Sequence, residues 1–147
     1  MGYITNTDIE KRLGAAAYVQ LTDDNVDGVA DAVVVDEARL AAEGEVDSYL
    51  GRRYQLPISL ATYPELDAVL SSITLDLMEL RLRIRRPPVP PDVVRKASES
   101  LDWLARVADG RVSLPTGSEV PSSTSRGFVA RTSGNARVLS RDELAGF

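Results

Sequence analysis

The sequence contains no cysteine and no histidine, and this double absence limits what the protein can do. Zinc sites of the thiolate or imidazole type, redox thiols and the Ser-His-Asp and Cys-His arrangements of hydrolases all need one of these side chains. General acid–base chemistry would fall to Asp, Glu, Tyr or Lys. Enzymatic activity is therefore disfavoured, and we expect a protein without catalytic residues.

Long apolar runs and a basic leader are also missing. No stretch of the chain approaches the roughly 20 apolar residues of a membrane-spanning helix. The opening, MGYITNTDIEKRLG, lacks the basic and apolar parts of a secretory signal. We expect a product of the cytoplasm without a membrane partner, and a length of 147 residues suits one domain with a real core.

Lysine is scarce: the sequence contains two lysines but fifteen arginines. The formal net charge is −5, which argues against a general coating of nucleic acid, because that affinity depends on cations that meet phosphates. The charge is uneven, with a net of −6 in residues 1–111 and +1 in residues 112–147. Arginine pairs well with carboxylates and is common at interfaces, so this bias favours contacts with protein.

Apolar residues recur at helical spacing, which predicts an all-α fold: a small four-helix bundle of one short and three longer helices. The short helix should follow a capping box of Thr7 and Glu10 and end at Gly14. A second helix is expected from residue 29 or 31 to about residue 54. Its apolar stripe would contain Ala30, Val34, Ala38, Ala41, Glu45 and Tyr49, widened by Val33, Val46 and Leu50.

The third predicted helix follows another capping box, of Thr62 and Glu65, and ends at Arg85. Its stripe would contain Leu66, Val69, Leu70, Ile73, Leu77, Leu80 and Ile84. Because further apolar residues lie off that stripe, this helix is either central in the bundle or partly covered by a neighbour. The fourth helix is expected from Pro91 to Asp109. Its inward residues would be Val94, Ala97, Leu101, Leu104 and Ala108.

The composition changes after Arg111 to one rich in Ser, Thr, Gly and Pro. Such a segment cannot bury enough apolar surface to offset its ordering entropy. We therefore predict a helical domain over residues 1–111 and an extended C-terminal arm over residues 112–147 that orders on a partner. Its predicted anchors are Phe128, Val129, Val138, Leu139, Leu144 and Phe147. A disordered tail is the alternative interpretation.

An acidic loop between the first two predicted helices matches part of a calcium-binding loop. The matching residues are Asp23, Asn25, Asp27 and Asp31, with Gly28 at the sharp turn. Val34 stands where a bidentate Glu normally closes the site, and no helix is predicted directly before the loop. The loop therefore holds either a weak, optional Ca²⁺ site or a tight turn at Asp27–Gly28 whose Asp side chains cap the N-terminus of the next helix.

Two further features have alternative interpretations. The one basic cluster, Arg81, Arg83, Arg85 and Arg86, is either favourable charge at a helix C-terminus or a surface for acidic protein or passing DNA. Trp103, the only tryptophan, is either a half-buried edge of the core or an anchor at an interface.

The order of the motifs is more specific than any one of them. The sequence has a YIT–DI–RLG opening, QLTDDNVDGVAD before a long helix, YLGRRYQLP at Tyr49–Pro57, YPELDAVLSSITLDL, and RVLSRDELAGF at Arg137–Phe147. Together these segments resemble the Gp36-like proteins of Mu-type bacteriophages nearly from end to end.

The resemblance implies a head–tail connector, or adaptor, in the neck of the virion. Such a protein is a small helical bundle that forms a dodecameric ring below the portal and extends the channel for DNA. Its implied partners are other copies of itself, the portal protein and the next neck or tail protein, and DNA passes without specific binding. A tail-completion or stopper protein is the nearest alternative. A calcium-responsive interaction module and a DNA-binding regulator that uses the basic cluster are alternatives of other classes.

Overall fold

A computed structural model describes residues 2–116 of the chain, and this part is helical, without a β-strand. Its helices are α1 (Asn6–Leu13), α2 (Ala15–Thr22), α3 (Ala32–Leu50), α4 (Asp67–Arg85) and α5 (Pro91–Ala108), and a 3₁₀ turn at Pro64–Leu66 precedes α4. The predicted all-α fold is confirmed. The described residues contain five α-helices rather than the four that the pattern predicts, because α2 adds one.

Helix α1 begins two residues earlier than the predicted capping box requires. The Thr5 hydroxyl accepts a hydrogen bond from the Asp8 amide at 3.3 Å, and the Asp8 carboxylate accepts one from the Thr5 amide at 2.9 Å. The box therefore consists of Thr5 and Asp8, and the predicted pair of Thr7 and Glu10 is wrong. Aspartate at the third helical position does the work that the sequence pattern assigns to glutamate.

Helix α2 is absent from the predicted pattern because AAAYVQLT does not separate apolar from polar residues around the helix. Gly14, with φ at 80°, ends α1 and begins α2, a conformation that glycine adopts without a steric penalty. Because α2 ends at Thr22, a helix does lead directly into the acidic loop, and the expectation of none is wrong.

Helix α3 is shorter than predicted and buries a shifted face. It ends at Leu50, and Tyr54 is buried beyond its end. The buried apolar face consists of Val35, Ala38, Ala42, Val46 and Leu50. Val33, predicted to lie inward, is 69% exposed. A helix rich in Ala and Val offers two candidate stripes of similar hydrophobicity, and packing against α4 selects the one through Val35.

Helix α4 lies at the centre of the bundle, where it contacts α1, α2, α3 and α5. Its buried residues are Leu70, Ile73, Thr74, Leu77, Met78 and Leu82. The interpretation of a central third helix is therefore confirmed. The predicted box of Thr62 and Glu65 is wrong, because the Thr62 hydroxyl bonds to that of Ser59 at 3.1 Å. Val69 and Ile84, predicted inward, are exposed.

Helix α5 has nearly the predicted bounds, and Ala97, Leu104 and Ala108 are buried as predicted, but the rest of its inward face differs. Val93 is buried and Val94 is exposed, the reverse of the prediction. Ser100 is buried where the pattern favours Leu101, because the Ser100 hydroxyl donates to the Asp76 carboxylate on α4 at 3.0 Å. None of the helices within residues 2–116 has both the length and the apolar character needed to cross a lipid bilayer.

The first residues of the predicted arm lie on the bundle. Leu114 is buried, and its amide donates to the Tyr54 hydroxyl at 2.8 Å. Val112 packs against the core and Thr116 is buried. The packed part of the chain therefore extends past Arg111 to at least Thr116. The rest of the predicted arm, 117–147, lies outside the described residues.

We expect a chain that ends at Arg111 to be less stable than one that ends at Thr116 by about 2 kcal/mol, the order for burying one leucine side chain. Urea unfolding followed by circular dichroism measures the difference. Leu114→Ala in the chain that ends at Thr116 should reproduce most of the loss. Equal free energies of unfolding for the two truncated chains would assign residues 112–116 to the arm.

Candidate functional site

The acidic loop and the basic cluster, which the sequence separates by about fifty residues, meet in the structure. Arg85 pairs with the Asp24 carboxylate at 2.7 Å, and Arg86 pairs with the same carboxylate at 3.0 Å. Arg86 also donates to the carbonyl of Gln20 at 2.7 Å and to that of Asp23. We call these contacts the loop–arginine junction. The junction fastens the C-terminus of α4 to the connection between α2 and α3.

The other two arginines of the basic cluster also have acidic partners. Arg81 on α4 pairs with Glu45 on α3 at 2.7 Å, and Arg83 pairs with Glu79 of its own helix at 3.7 Å. All four guanidinium groups are therefore engaged within the described fold. This arrangement favours the interpretation of the cluster as charge at a helix C-terminus, because a DNA contact would compete with the existing ion pairs.

The carboxylates of the acidic loop face hydrogen-bond donors of the same loop. Asp23 accepts from the amides of Asp27 and Gly28 at 3.2 and 2.8 Å, and the Gly28 amide is the main cause of a lowered Asp23 pKa. Asp31 accepts from the Asp24 amide at 2.8 Å and from the Asn25 side chain at 2.7 Å. These bonds hold the loop in a folded turn. The predicted capping of the following helix by the Asp side chains is wrong, because Asp31, the N-cap residue of α3, forms no side-chain cap bond.

Calcium binding at this loop stays a prediction. Within residues 2–116, no group of three or more acidic, histidine or cysteine side chains is arranged to share a metal ion. Of the four predicted ligands, Asp27 also bonds locally, because its carboxylate accepts from the Val29 amide at 2.8 Å. An ion would have to displace several of these local bonds.

Trp103 lies in a groove between α4 and α5 that has a volume of about 450 Å³. The side chain is partly buried and packs against the hydrophobic core, as expected for the edge of a core. Val69 and Ile73 of α4 form the facing wall of the groove. A role for Trp103 at an interface stays a prediction. The predicted anchors Phe128, Val129, Val138, Leu139, Leu144 and Phe147 lie outside the described residues.

The N-terminal segment, which contains the YIT motif of residues 3–5, is fixed between α3 and α4. The Tyr3 hydroxyl donates to the Asp47 carboxylate of α3 at 2.5 Å, and the Ser71 hydroxyl of α4 donates to the Tyr3 carbonyl at 2.7 Å. Burial, followed by the bond to Asp47, raises the pKa of Tyr3 above its ordinary value. The Ile4 amide donates to the buried Glu43 carboxylate at 3.4 Å.

This segment forms one wall of a groove of about 910 Å³, which we call the N-terminal groove. Its other walls are α1, residues 57–61 and the first half of α4. The apolar lining includes Pro57, Ile58, Leu60, Ala61, Pro64 and Leu75. Thr116, the last described residue, lies in a smaller cavity of about 310 Å³ that shares residues 57–59 with the groove. The last described residue therefore lies beside the N-terminal groove.

The loop–arginine junction predicts a weakening of the fold in acid. The hydrogen bonds from Arg85 and Arg86 lower the pKa of Asp24. A lowered pKa in the folded state contributes stability above the unfolded carboxyl pKa of about 3.9, and this contribution is lost as pH falls through the folded-state value. The free energy of unfolding should therefore fall between about pH 5 and pH 2, and it should fall less in Asp24→Asn.

Chemical unfolding at a series of pH values measures this difference. Asp102→Asn is the matched control, because Asp102 is exposed and forms no ion pair within residues 2–116. The control should keep the acid dependence of the unmodified chain. An Asp24→Asn variant with the same acid dependence as the unmodified chain would show that the junction contributes little.

The comparison with known protein families gives a match over most of the chain. The family described as Bacteriophage Mu, Gp36 matches residues 3–131, so that the match includes all five helices and continues past Thr116. No curated protein matches the chain. A match of this extent agrees with the motifs from the YIT opening to the YPELDAVLSSITLDL segment. The chain therefore belongs to the bacteriophage Mu Gp36 family.

Proposed function

We propose that this phage structural protein is a head–tail connector, or adaptor, of the virion. Copies of the chain form a closed, dodecameric ring below the portal, extend the channel through which DNA leaves, and join head to tail. The role is structural rather than catalytic and requires no cofactor. The protein is made in the host cytoplasm and acts in the neck of the particle. Membership of the Gp36 family supports a structural role in the phage.

The observation that carries the ring proposal is the outer face of α3, which consists of Val33, Glu37, Leu40, Ala41 and Gly44. Val33 and Leu40, one heptad apart, are 69% and 60% exposed. Beside them, a Cβ on Gly44 would meet no heavy atom within 4 Å. Small and apolar residues on one exposed helix face allow a second helix to approach closely. A ring requires such an unburied surface, because each subunit must contact two neighbours.

The structure changes which helix is available for ring contacts. By its broad apolar surface alone, the third predicted helix would be a candidate for the contact between subunits. That helix is α4, and most of its apolar surface, apart from Val69 and Ile84, is covered by α1, α2, α3 and α5. We therefore assign the contact between subunits to the outer face of α3 instead.

Charge supports a channel through which DNA passes without specific binding. Residues 1–111 carry a net charge of −6, and the four arginines of the basic cluster are already paired with acidic side chains. Affinity for DNA depends on cations that replace the counterions of phosphates. A body with few unpaired cations would therefore retard the passing DNA little.

We expect Leu40→Asp to block ring formation without unfolding the subunit. Because Leu40 is mostly exposed, the free energy of unfolding should change by no more than about 0.5 kcal/mol. A charge buried between subunits should weaken their contact at least about tenfold. Electron microscopy of phage particles that carry the variant would count joined heads and tails, and chemical unfolding would measure stability.

Val94→Asp on α5 is the control for this experiment. Like Leu40, Val94 is an exposed aliphatic residue within a helix. This variant should assemble normally. Normal joining with Leu40→Asp would contradict the assignment of α3. A cryo-EM map of the neck would test the role itself: contact with the portal supports a connector, whereas contact only with the tail tube indicates the tail-completion alternative.

We further propose that the arm orders on a partner in the assembly. Removing residues 117–147 should leave the bundle folded, because residues between Tyr3 and Leu114 form the apolar core around α1–α5. Heads and tails should nevertheless fail to join, since the predicted anchors are lost. Circular dichroism and particle counts measure the two effects separately. Infectious particles at normal yield would contradict this role of the arm.

A further inference from the structure

We propose that the N-terminal groove receives the arm of a neighbouring copy, with Phe128 and Val129 as the residues that fill it. The inference rests on the proposed ring, because the arm must come from the next subunit. It extends that proposal by naming the receiving surface and the segment that occupies it.

The lining of the groove suits a short apolar segment. Ile58, Leu60 and Leu75 contribute aliphatic side chains, and Pro57 and Pro64 contribute rigid apolar rings. Grooves of this kind typically bind peptides through a few anchoring side chains. At about 910 Å³ the N-terminal groove has twice the volume of the groove beside Trp103. One aromatic and one β-branched side chain are suitable occupants.

The position of Thr116 sets the distance that the proposed arm must cover to reach the next groove. Thr116 lies beside the N-terminal groove of its own subunit. In a ring, every subunit has the same orientation relative to its neighbour. The distance from one Thr116 to the next subunit's groove is therefore about one subunit width. A compact domain of this size has a radius of gyration of about 13 Å and is roughly 35 Å across.

The length of the intervening segment matches this distance. Phe128 is twelve residues beyond Thr116. An extended chain covers at most about 3.3–3.6 Å per residue, so these residues reach up to about 40 Å. That reach brings Phe128 to the groove of the neighbour.

The net charges of the segment and of the bundle have opposite signs. Residues 117–131 contain Arg126, Arg131 and one acidic residue, which gives a net charge of +1, whereas residues 1–111 carry −6. Asp8 and Asp67 line the groove and form no ion pair within the described residues. The groove also contains two cations, Lys11 and Arg12, of which Arg12 is already paired with Asp76 and Glu79 on α4.

The extent of the family match points to the same segment. The match continues beyond Thr116 and ends at residue 131, just past Val129. The family pattern therefore includes the stretch that we assign to the groove, in addition to the helical bundle.

Disulfide trapping tests the proposal cleanly, because the natural chain has no cysteine. One copy carries Ala61→Cys in the groove and a second copy carries Val129→Cys in the arm. Necks isolated from particles that contain both copies are oxidised and separated on a denaturing gel without reductant. We expect a covalent dimer of the two copies, at least about tenfold more abundant than with the control, because docking raises the effective thiol concentration.

The control replaces Ala61→Cys with Ser98→Cys, which is exposed on α5 and distant in sequence from the groove. A single chain that carries both Ala61→Cys and Val129→Cys tests docking within one subunit. A bond formed only within that single chain would overturn the proposal, as would a dimer yield no higher than the Ser98→Cys control. In both cases normal head–tail joining would leave the proposed connector role intact. Absence of the protein from the neck would overturn that role and this inference together.

Discussion

Helix α4 has apolar side chains on most of its circumference, and such a helix is stable only when other helices surround it. Its buried residues include Leu70 and Leu82 near its two ends, so that the apolar character extends along its length. The remaining helices are arranged around it, with α3 and α5 as long neighbours and α1 and α2 as short ones. The buried Thr74 is compatible with this apolar surrounding, because its hydroxyl donates a hydrogen bond to the Leu70 carbonyl at 2.7 Å.

Polar side chains of α4 fix the positions of the neighbours that its apolar surface attracts. Asp76 and Glu79, with side chains 13% and 14% exposed, are too buried to remain unpaired, and Arg12 of α1 reaches both of them. Ser100 of α5 bonds to the other oxygen of Asp76. At the C-terminus of α4, the loop–arginine junction fixes the position of the loop after α2. Hydrophobic burial is not directional, and these bonds supply the direction.

The sequence predicts the helices better than their faces. A long helix with strong periodicity, such as α4, is identified by its apolar spacing alone. In α3 and α5, the buried valine lies only one or two positions from the valine that the pattern predicts to be buried: Val35 rather than Val33, and Val93 rather than Val94. Which of the two is buried depends on the helix that packs against that face. The capping box shows the same limit: with Thr5 as the cap, Ile4 and Ile9 take the positions of a hydrophobic staple, and both are buried. The N-terminal groove depends on contacts distant in sequence, such as Tyr3 with Asp47, and no local pattern predicts it.

In the proposed ring, the outer face of α3 has to form a heterologous contact rather than pair with the α3 of one other copy. The inner face packs small residues, Ala38 and Ala42, against the bundle, and the outer face presents Ala41 and Gly44. If the outer faces of α3 in two copies paired around a two-fold axis, association would stop at a dimer. Each groove could then receive only the arm of that one partner. A heterologous contact instead places α3 against a different surface of the next copy and leaves another α3 free. Only the second arrangement continues from copy to copy until a ring closes, as the proposed connector requires.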